Sequence, residues 1–364
     1  MSKKSDKAAV MEQALQLEEL RRELEDNHLK LARSRSTTRQ KASALVAAQR
    51  RLETLEAEFD FLCAVKPPKR ALNRIAKGRK RTGSKDATAV IIASDWHVEE
   101  TVTLQETHGR GEYNLVIAEQ RIERFFQGIV SLVESWTSGS HAAEIRDIVV
   151  PMIGDLINGY LREDDLISNS LTPPLAIEWL SQRLVDGFEF LLRNLDVSIH
   201  IPCRTGNHGR LMGINAKRTM WAMKETMSLE RLLFSMTAAA LKDESRITFD
   251  IPDGGISTYV NVKGTICRFM HGDSMRYGGG IGGLTVPLVK AIHRYDMETR
   301  ADHTFLGHFH QTIWLPFASV NGSMIGPNAY STAGGFGVET PQQSAVLIRQ
   351  NRGISVRESI WLDR

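Results

Sequence analysis

The chain is poor in anything that would staple it or anchor it. It has three cysteines in 364 residues, Cys63, Cys203 and Cys267, far apart and with no CxxC pair, which argues against a disulfide framework and against a thiolate zinc site. They read as reduced, mostly buried thiols. No window approaches the roughly eighteen uncharged apolar residues that a bilayer span needs. Behind the opening Met-Ser-Lys-Lys-Ser-Asp-Lys there is no apolar stretch that could act as a secretory signal. These absences predict a protein of the cytoplasm. Hydrophobic residues at 42% and charged ones at 24% are ordinary for a globular chain, long enough here for one large domain or a medium one with an appendage.

The charge that is present falls unevenly. The formal net charge is +3, but residues 1–85 carry 21 Lys+Arg against 11 Asp+Glu, leaving 25 against 32 for residues 86–364. The two parts therefore differ in role. Residues 66–85 hold nine basic residues and no acidic one, interrupted by Pro67, Pro68, Gly78 and Gly83. Such a stretch is a flexible cationic tether, either a solvated linker or a contact for a phosphate backbone. Upstream, Leu17, Leu24, Leu31, Leu45, Leu52 and Phe59 share one position of a seven-residue period, and Leu20, Ala48, Leu55 and Leu62 share another. This is a coiled-coil signature. Ser34, Thr38 and Lys41 break the seam, so residues 1–65 are expected to form either one long helix with a weak centre or a hairpin turning near 36–39. An apolar stripe on an otherwise polar helix needs a partner. Self-association, giving a homo-oligomer, is favoured over a helix lying on the body.

From about residue 88 the pattern alternates. Short β-branched runs at 89–93, 148–153 and 197–203 are separated by helical periodicity at 115–133, capped by Asn114, and at 175–195. That order implies a largely parallel sheet covered by helices. Later runs at 256–262, 265–270, 312–315 and 345–349 lack long helices between all of them and predict a second, more antiparallel sheet. The expected fold of residues 88–364 is α/β, a two-sheet β-sandwich flanked by helices. An α-helical coiled-coil arm (1–65) and a basic linker (66–87) precede it.

Residues able to bind metal fall where these runs end: Asp95 and His97, Asp155, Asn207 and His208, His271, and His308 and His310. In open α/β sheets ligands sit beyond the carboxyl ends of strands, so these scattered positions are expected to converge on one crevice. His208 apart, they supply seven oxygen or nitrogen donors, enough for two cations. Asp95 and His97, two apart on extended chain, project to the same side and can hold one ion together. Gly154, Gly206, Gly272 and Gly307 beside them let the backbone turn tightly.

In order, the motifs are DxH (Asp95, His97), GDxxN (Gly154, Asp155, Asn158), GNH (Gly206, Asn207, His208), HG (His271, Gly272) and GHxH (Gly307, His308, His310). This series resembles the calcineurin-like metallophosphoesterase superfamily over about residues 88–320. Tyr113, Asn114 and Leu115, Gly209 and Arg210, and Pro341, Gln342 and Gln343 are similar to a branch found in bacteriophages and prophages and regarded as DNA-processing phosphoesterases. That likeness implies host cytoplasm as the location of a phage-encoded chain. The superfamily resemblance implies that Asp95, His97 and His310 hold one divalent ion, that Asn207, His271 and His308 hold the other, and that Asp155 bridges them. It also implies a water activated between the ions and attacking phosphorus. Mn²⁺ is the expected metal, with Zn²⁺ or Fe as alternatives. His208 is expected to serve the leaving group as general acid or hydrogen-bond donor. Many members carry an acid directly after this histidine; Gly209 stands here, and Asp273 is the candidate to orient the ring instead.

Other residues have two readings each. Arg162 and Arg210 either grip a phosphate oxygen or face solvent. Trp96 either stacks on a base or packs in the core. Asn158 is expected to support the ligands. His28, His108, His141, His200, His293 and His303 lack a ligand's placement, and glycine-rich 278–283 lacks the ending of a P-loop, so it reads as a lid or loop beside His271. The basic tether and the arm tilt the expected substrate toward nucleic acid, making a DNA nuclease or phosphodiesterase the leading expectation. A phosphatase acting on protein or small molecules, and a phage assembly or regulatory scaffold without hydrolysis, are the alternatives.

Overall fold

In the computed structural model of the chain, the residues described are 85–139, 142–211, 223–275, 283–333 and 339–363. The expected coiled-coil arm, Cys63, His28, His141, nearly all of the basic linker and all but the last of the 278–283 glycine cluster lie outside them. Strand β1 (Asp86–Ile91) takes up two residues assigned above to the linker. It is buried on both faces and lies inside a six-stranded sheet of order β11-β10-β1-β2-β3-β4. Its partners are β2 (Glu144–Val149), β3 (Ser198–Pro202), β4 (Ile247–Asp250), β10 (Gln342–Arg349) and β11 (Gly353–Trp361). The strands β1 to β4 run parallel, and β10 and β11 are antiparallel additions at the other side.

Alternation along β1 divides two layers. Ala87, Ala89 and Ile91 point into a core shared with the helices α1 (Leu115–Thr137), α3 (Pro173–Asn194) and α4 (Leu229–Ala240), whereas Val90 points to the second sheet, as does Ile92 just beyond the strand. A single turn, α2 (Asp165–Ser168), lies between α1 and α3. Asn114 caps α1 as expected, its Oδ1 accepting from the N–H groups of Val116 and Ile117 at 3.0 and 3.1 Å. The buried face of α1 (Ala118, Ile122, Phe125, Phe126, Ile129, Val133) follows the 3.6-residue period that marked it in the sequence. Gly187 on α3 leaves room for the ring of Phe126, so the two helices pack closely.

The second sheet has the order β5-β6-β7-β9-β8, from β5 (Thr258–Val262), β6 (Thr265–Met270), β7 (His303–Leu306), β8 (Ile313–Trp314) and β9 (Ala318–Val320). Helix α5 (Thr285–Glu298) covers its outer face through Leu288 and Ile292, and a short helix α6 (Ala329–Ala333) follows β9. The layers are therefore helix, sheet, sheet, helix, the expected sandwich.

Two expectations need correcting. The run 345–349 belongs to the first sheet: Ala345 and Leu347 face the helices while Val346 and Ile348 face the second sheet, and a strand buried on both sides fits an interior position. The second sheet is also mixed rather than mainly antiparallel, since β6–β7 and β7–β9 pair parallel. Among the described residues no helix is long and apolar enough to cross a membrane.

Candidate metal centre

Every residue singled out as a metal donor lies in the loop that follows β1, β2, β3, β6 or β7, and these loops meet. The loops after β1 and β2 are zipped together by backbone bonds from Asp95 N to Gly154 O (3.0 Å) and from Trp96 N to Asp155 O (2.8 Å). A side chain at Gly206 would collide with the Asp155 carboxylate, and one at Gly307 with that of Asp95. Glycine at these two places is what lets the carboxylates sit against neighbouring backbone. Asp95, His97, Asp155, His308 and His310 all adopt positive φ, between 47° and 73°. For residues other than glycine this backbone is costly, and it gathers here where donors must be aimed.

The donors form three interlocking groups: Asp95, His97 and His310; His97, Asp155 and His208; and Asp155, His271 and His308. In each, the ligand atoms lie within 4.8 Å of one another. The Nε2 atoms of His97 and His310 face each other at 3.2 Å. Nε2 of His271 is 2.9 Å from Asp155 Oδ2 and 3.1 Å from Asn207 Oδ1. All seven expected donors are thus brought together.

The outer nitrogens of three of the histidines are already occupied, which fixes their tautomers and aims Nε2 inward. His271 Nδ1–H donates to Ile153 O at 2.8 Å, and His97 Nδ1–H donates to Asn158 Oδ1 at 3.0 Å. His208 Nδ1–H donates to Asn158 O at 2.8 Å. Asn158 thus supports two of the rings, as expected. Asp155 Oδ1 accepts from His208 N (2.8 Å), and both Asp95 oxygens accept from His308 N (2.9 and 3.0 Å).

Electrostatically the two carboxylates of the cluster are paired with imidazoles. Asp95 and Asp155 are fully buried, and among the described residues their ion pairs are with His310 and His271 rather than with Lys or Arg. Burial would raise both carboxyl pKa values, but the neighbouring imidazoles override it and hold them below the usual range. In return, the Asp155 carboxylate lifts His271 to about 9 against the effect of burial. Burial, followed by the charge of His271, pushes His308 down to about 4. Buried carboxylates beside mixed nitrogen and oxygen donors, with no thiolate, suit divalent cations. The residues present fit divalent metal. His308 and His310 are partly exposed and leave the cluster open on that side.

The supporting cast departs from expectation. Asp273 does not orient His208; it is buried, paired with Arg210 and 2.7 Å from Lys224 Nζ. Arg210 is thus held by Asp273 and not turned freely to solvent. Arg162 is partly exposed and near enough to His208 for its charge to help lower that imidazole's pKa, after burial. Trp96 is core: it is fully buried, edge-on to Phe125, with Nε1–H donating to Gln343 Oε1 at 3.1 Å. Base stacking is excluded for it. His303 is buried beside Ser319, 2.8 Å from its hydroxyl, and serves the second sheet.

Three buried carboxylates, Glu99, Glu225 and Glu230, went unnoticed in the sequence. Glu99 accepts from the N–H groups of Asn158 and Gly159, both at 2.8 Å. Glu230 accepts from Leu156 N (2.7 Å) and Gly206 N (2.6 Å). Burial raises the pKa of Glu99 to about 7 and of Glu230 to about 8. Glu225 accepts from Thr205 N (3.1 Å) and pairs with buried Arg204 (2.8 Å). Glu99 stands two residues after His97, but Asp95 and His97 both have left-handed backbone rather than the extended chain expected above, so alternation along the chain does not point to it. Glu230 opens a helix more than twenty residues from the nearest motif and gives no signal.

No protein-family model matches the chain, and no curated protein matches it in sequence. Solved structures with related shape include Vps29 complexed with zinc from Entamoeba histolytica, at 10% identity over 75% of this chain and 99% of that one, with a TM-score of 0.30. A hypothetical protein from Pyrococcus horikoshii matches at 10% identity over 76% of this chain and 88% of that one, TM-score 0.36. A 5'-nucleotidase precursor from Thermus thermophilus matches at 10% identity over 75% of this chain and 54% of that one, TM-score 0.28.

Proposed function

We propose that the chain is a metal-dependent phosphoesterase and, more finely, a nuclease or phosphodiesterase acting on DNA. The observation that carries the first part is the meeting of seven nitrogen and oxygen donors from five strand ends around Asp155. Asp95, His97 and His310 would hold one divalent cation and Asn207, His271 and His308 the other, with Asp155 between. Cations there would supply Lewis acidity toward the phosphoryl oxygens and toward an attacking water, with Mn²⁺ the expected metal.

The chain's own contribution is positioning and proton handling. His208 keeps a proton on Nδ1, bound to Asn158 O, so it is the ring's second proton, carried on Nε2 of the imidazolium form, that would go to a leaving oxygen or hydrogen-bond it. Its ring lies edge-on to His97 at 4.5 Å between centroids, which limits its rotation. Arg162, beside His208, is suited to a non-bridging phosphate oxygen. Arg210 can do the same by sharing its fork between Asp273 and substrate.

The choice of DNA is supported by the nine cations of residues 66–85. A tether of that charge gains affinity with each phosphate neutralised, with a log–log salt slope of about 0.7 to 0.9 per contact. The heptads upstream support pairing with a second copy. The acidic balance of residues 86–364 favours the second reading, a phosphatase for small or protein-bound monoesters. Chelated and Mn²⁺-restored protein should be compared on single- and double-stranded DNA, bis-p-nitrophenyl phosphate and p-nitrophenyl phosphate. Diester and DNA cleavage restored by Mn²⁺ is the expected result; turnover of the monoester alone defeats the nuclease reading. Removing residues 1–84 should weaken DNA binding and flatten its salt dependence while leaving the small diester nearly unaffected.

A further inference from the structure

Glu99 and Glu230 share an unusual situation. Each is completely buried, each offers both carboxylate oxygens to two backbone N–H groups, and among the described residues neither has a Lys or Arg partner. Glu225, close by, accepts one N–H group and is neutralised by Arg204 at 2.8 Å. An unpaired buried carboxylate is expensive, so a chain that needed only a loop fastener would do better with the neutralised kind. What distinguishes Glu99 and Glu230 is where their bonds fall. Glu99 ties the loop of Asp95 and His97 to the loop of Asp155 and Asn158. Glu230 reaches from α4 to Leu156 N at 2.7 Å and Gly206 N at 2.6 Å, joining the Asp155 loop to the Asn207–His208 loop. Gly209 is glycine for a matching reason: a Cβ there would lie 2.8 Å from Glu230 Cγ and 2.9 Å from Ser228 Oγ. The place just after His208 has been given over to a carboxylate arriving from α4.

We infer that Glu99 and Glu230 are positioning residues for the paired cations, clamping the three ligand loops to one another through their backbone N–H groups. This rests on the two-cation reading above. A carboxylate that accepts through both oxygens fastens two N–H groups at once, so losing one acceptor oxygen loosens a ligand loop. Outer residues of this kind are typically worth about 10- to 100-fold in metal affinity.

The test is a calorimetric Mn²⁺ titration of full-length wild-type protein and of Glu230→Gln, with circular dichroism in chelator to establish folding. Glutamine can accept only one of the two N–H groups. Affinity for Mn²⁺ should fall at least about tenfold in folded Glu230→Gln, and Glu230→Asp, which restores the second acceptor oxygen on a shorter stem, should recover part of it. Unchanged affinity overturns the inference, whatever happens to the thermal midpoint. Should Glu230→Gln fail to fold, Glu99→Gln is titrated by the same criterion; failure of both to fold also overturns it, since the pair then serves the fold and not the ions. A wild-type protein that takes up no Mn²⁺ defeats the functional reading itself, whereas wild type and variant binding alike defeats only this inference.

Discussion

The two ends of the first sheet treat aspartate in opposite ways. Asp86 at the start of β1 and Asp147 within β2 share Lys263, each 2.9 Å from its Nζ, at a partly exposed surface. Where the same strands end, Asp95 and Asp155 are buried and, among the described residues, form ion pairs only with histidines. Backbone strain follows the same division: among the described residues, five of the eight non-glycine residues at positive φ are donors of the metal cluster, while Lys263 and Asn351 mark hairpin turns at the other end. One end is balanced by a lysine and the other by imidazoles, groups that can give up a proton and turn a lone pair to a metal ion. That difference separates a structural surface from a site.

Several substitutions probe the contrast. The largest effect is expected from Asp155→Asn, which removes the donor shared by both ion positions. Mn²⁺ affinity should fall by more than about 100-fold and diester hydrolysis with it, as read by titration and initial rates; two ions bound as in wild type would deny Asp155 its bridging place. His208→Gln should lower kcat by about 10² to 10⁴ while Mn²⁺ uptake persists. Loss of metal together with rate would make His208 a ligand instead.

The opposite end should respond in stability alone. Burial, then Arg357, holds the His303 imidazole at about 4, below its usual 6.5. A depressed histidine stabilises fully above pH 6.5, and that stability drains away as pH falls toward 4, because the unfolded chain takes up the proton first. The loss should reach about 3 kcal/mol at the acid end, and His303→Asn should flatten it in denaturant melts between pH 7 and pH 4.5. An equally steep variant would place the acid sensitivity elsewhere. Smallest of all, Lys263→Ala should cost about 1 kcal/mol or less, as partly exposed pairs do, with no change in metal uptake.

Much of this arrangement was legible in the sequence because its signals are local. The β-branched runs of β1, β2 and β3, the Asn114 cap and the apolar stripe of α1 each show within a few residues, and the seven donors each follow such a run. What escaped depends on partners distant in sequence. The pairing of β10 with β1 joins residues some 250 apart, and β11 was hidden because its outer side chains are polar, as suits an edge strand. Asp273 looked like the orienter of His208 because it neighbours His271, but Lys224 and Arg210 claim it, while Asn158 O, from another loop, takes the ring. Glu230 shows the same limit: only the fold brings it beneath Gly206.

The central claim is that Asp155 lies between two cations. Anomalous diffraction from crystals grown with Mn²⁺ addresses it directly. Two peaks roughly 3.5 to 4 Å apart, one beside Asp95, His97 and His310 and the other beside Asn207, His271 and His308, are predicted. A single peak, or none at saturating Mn²⁺, would contradict it.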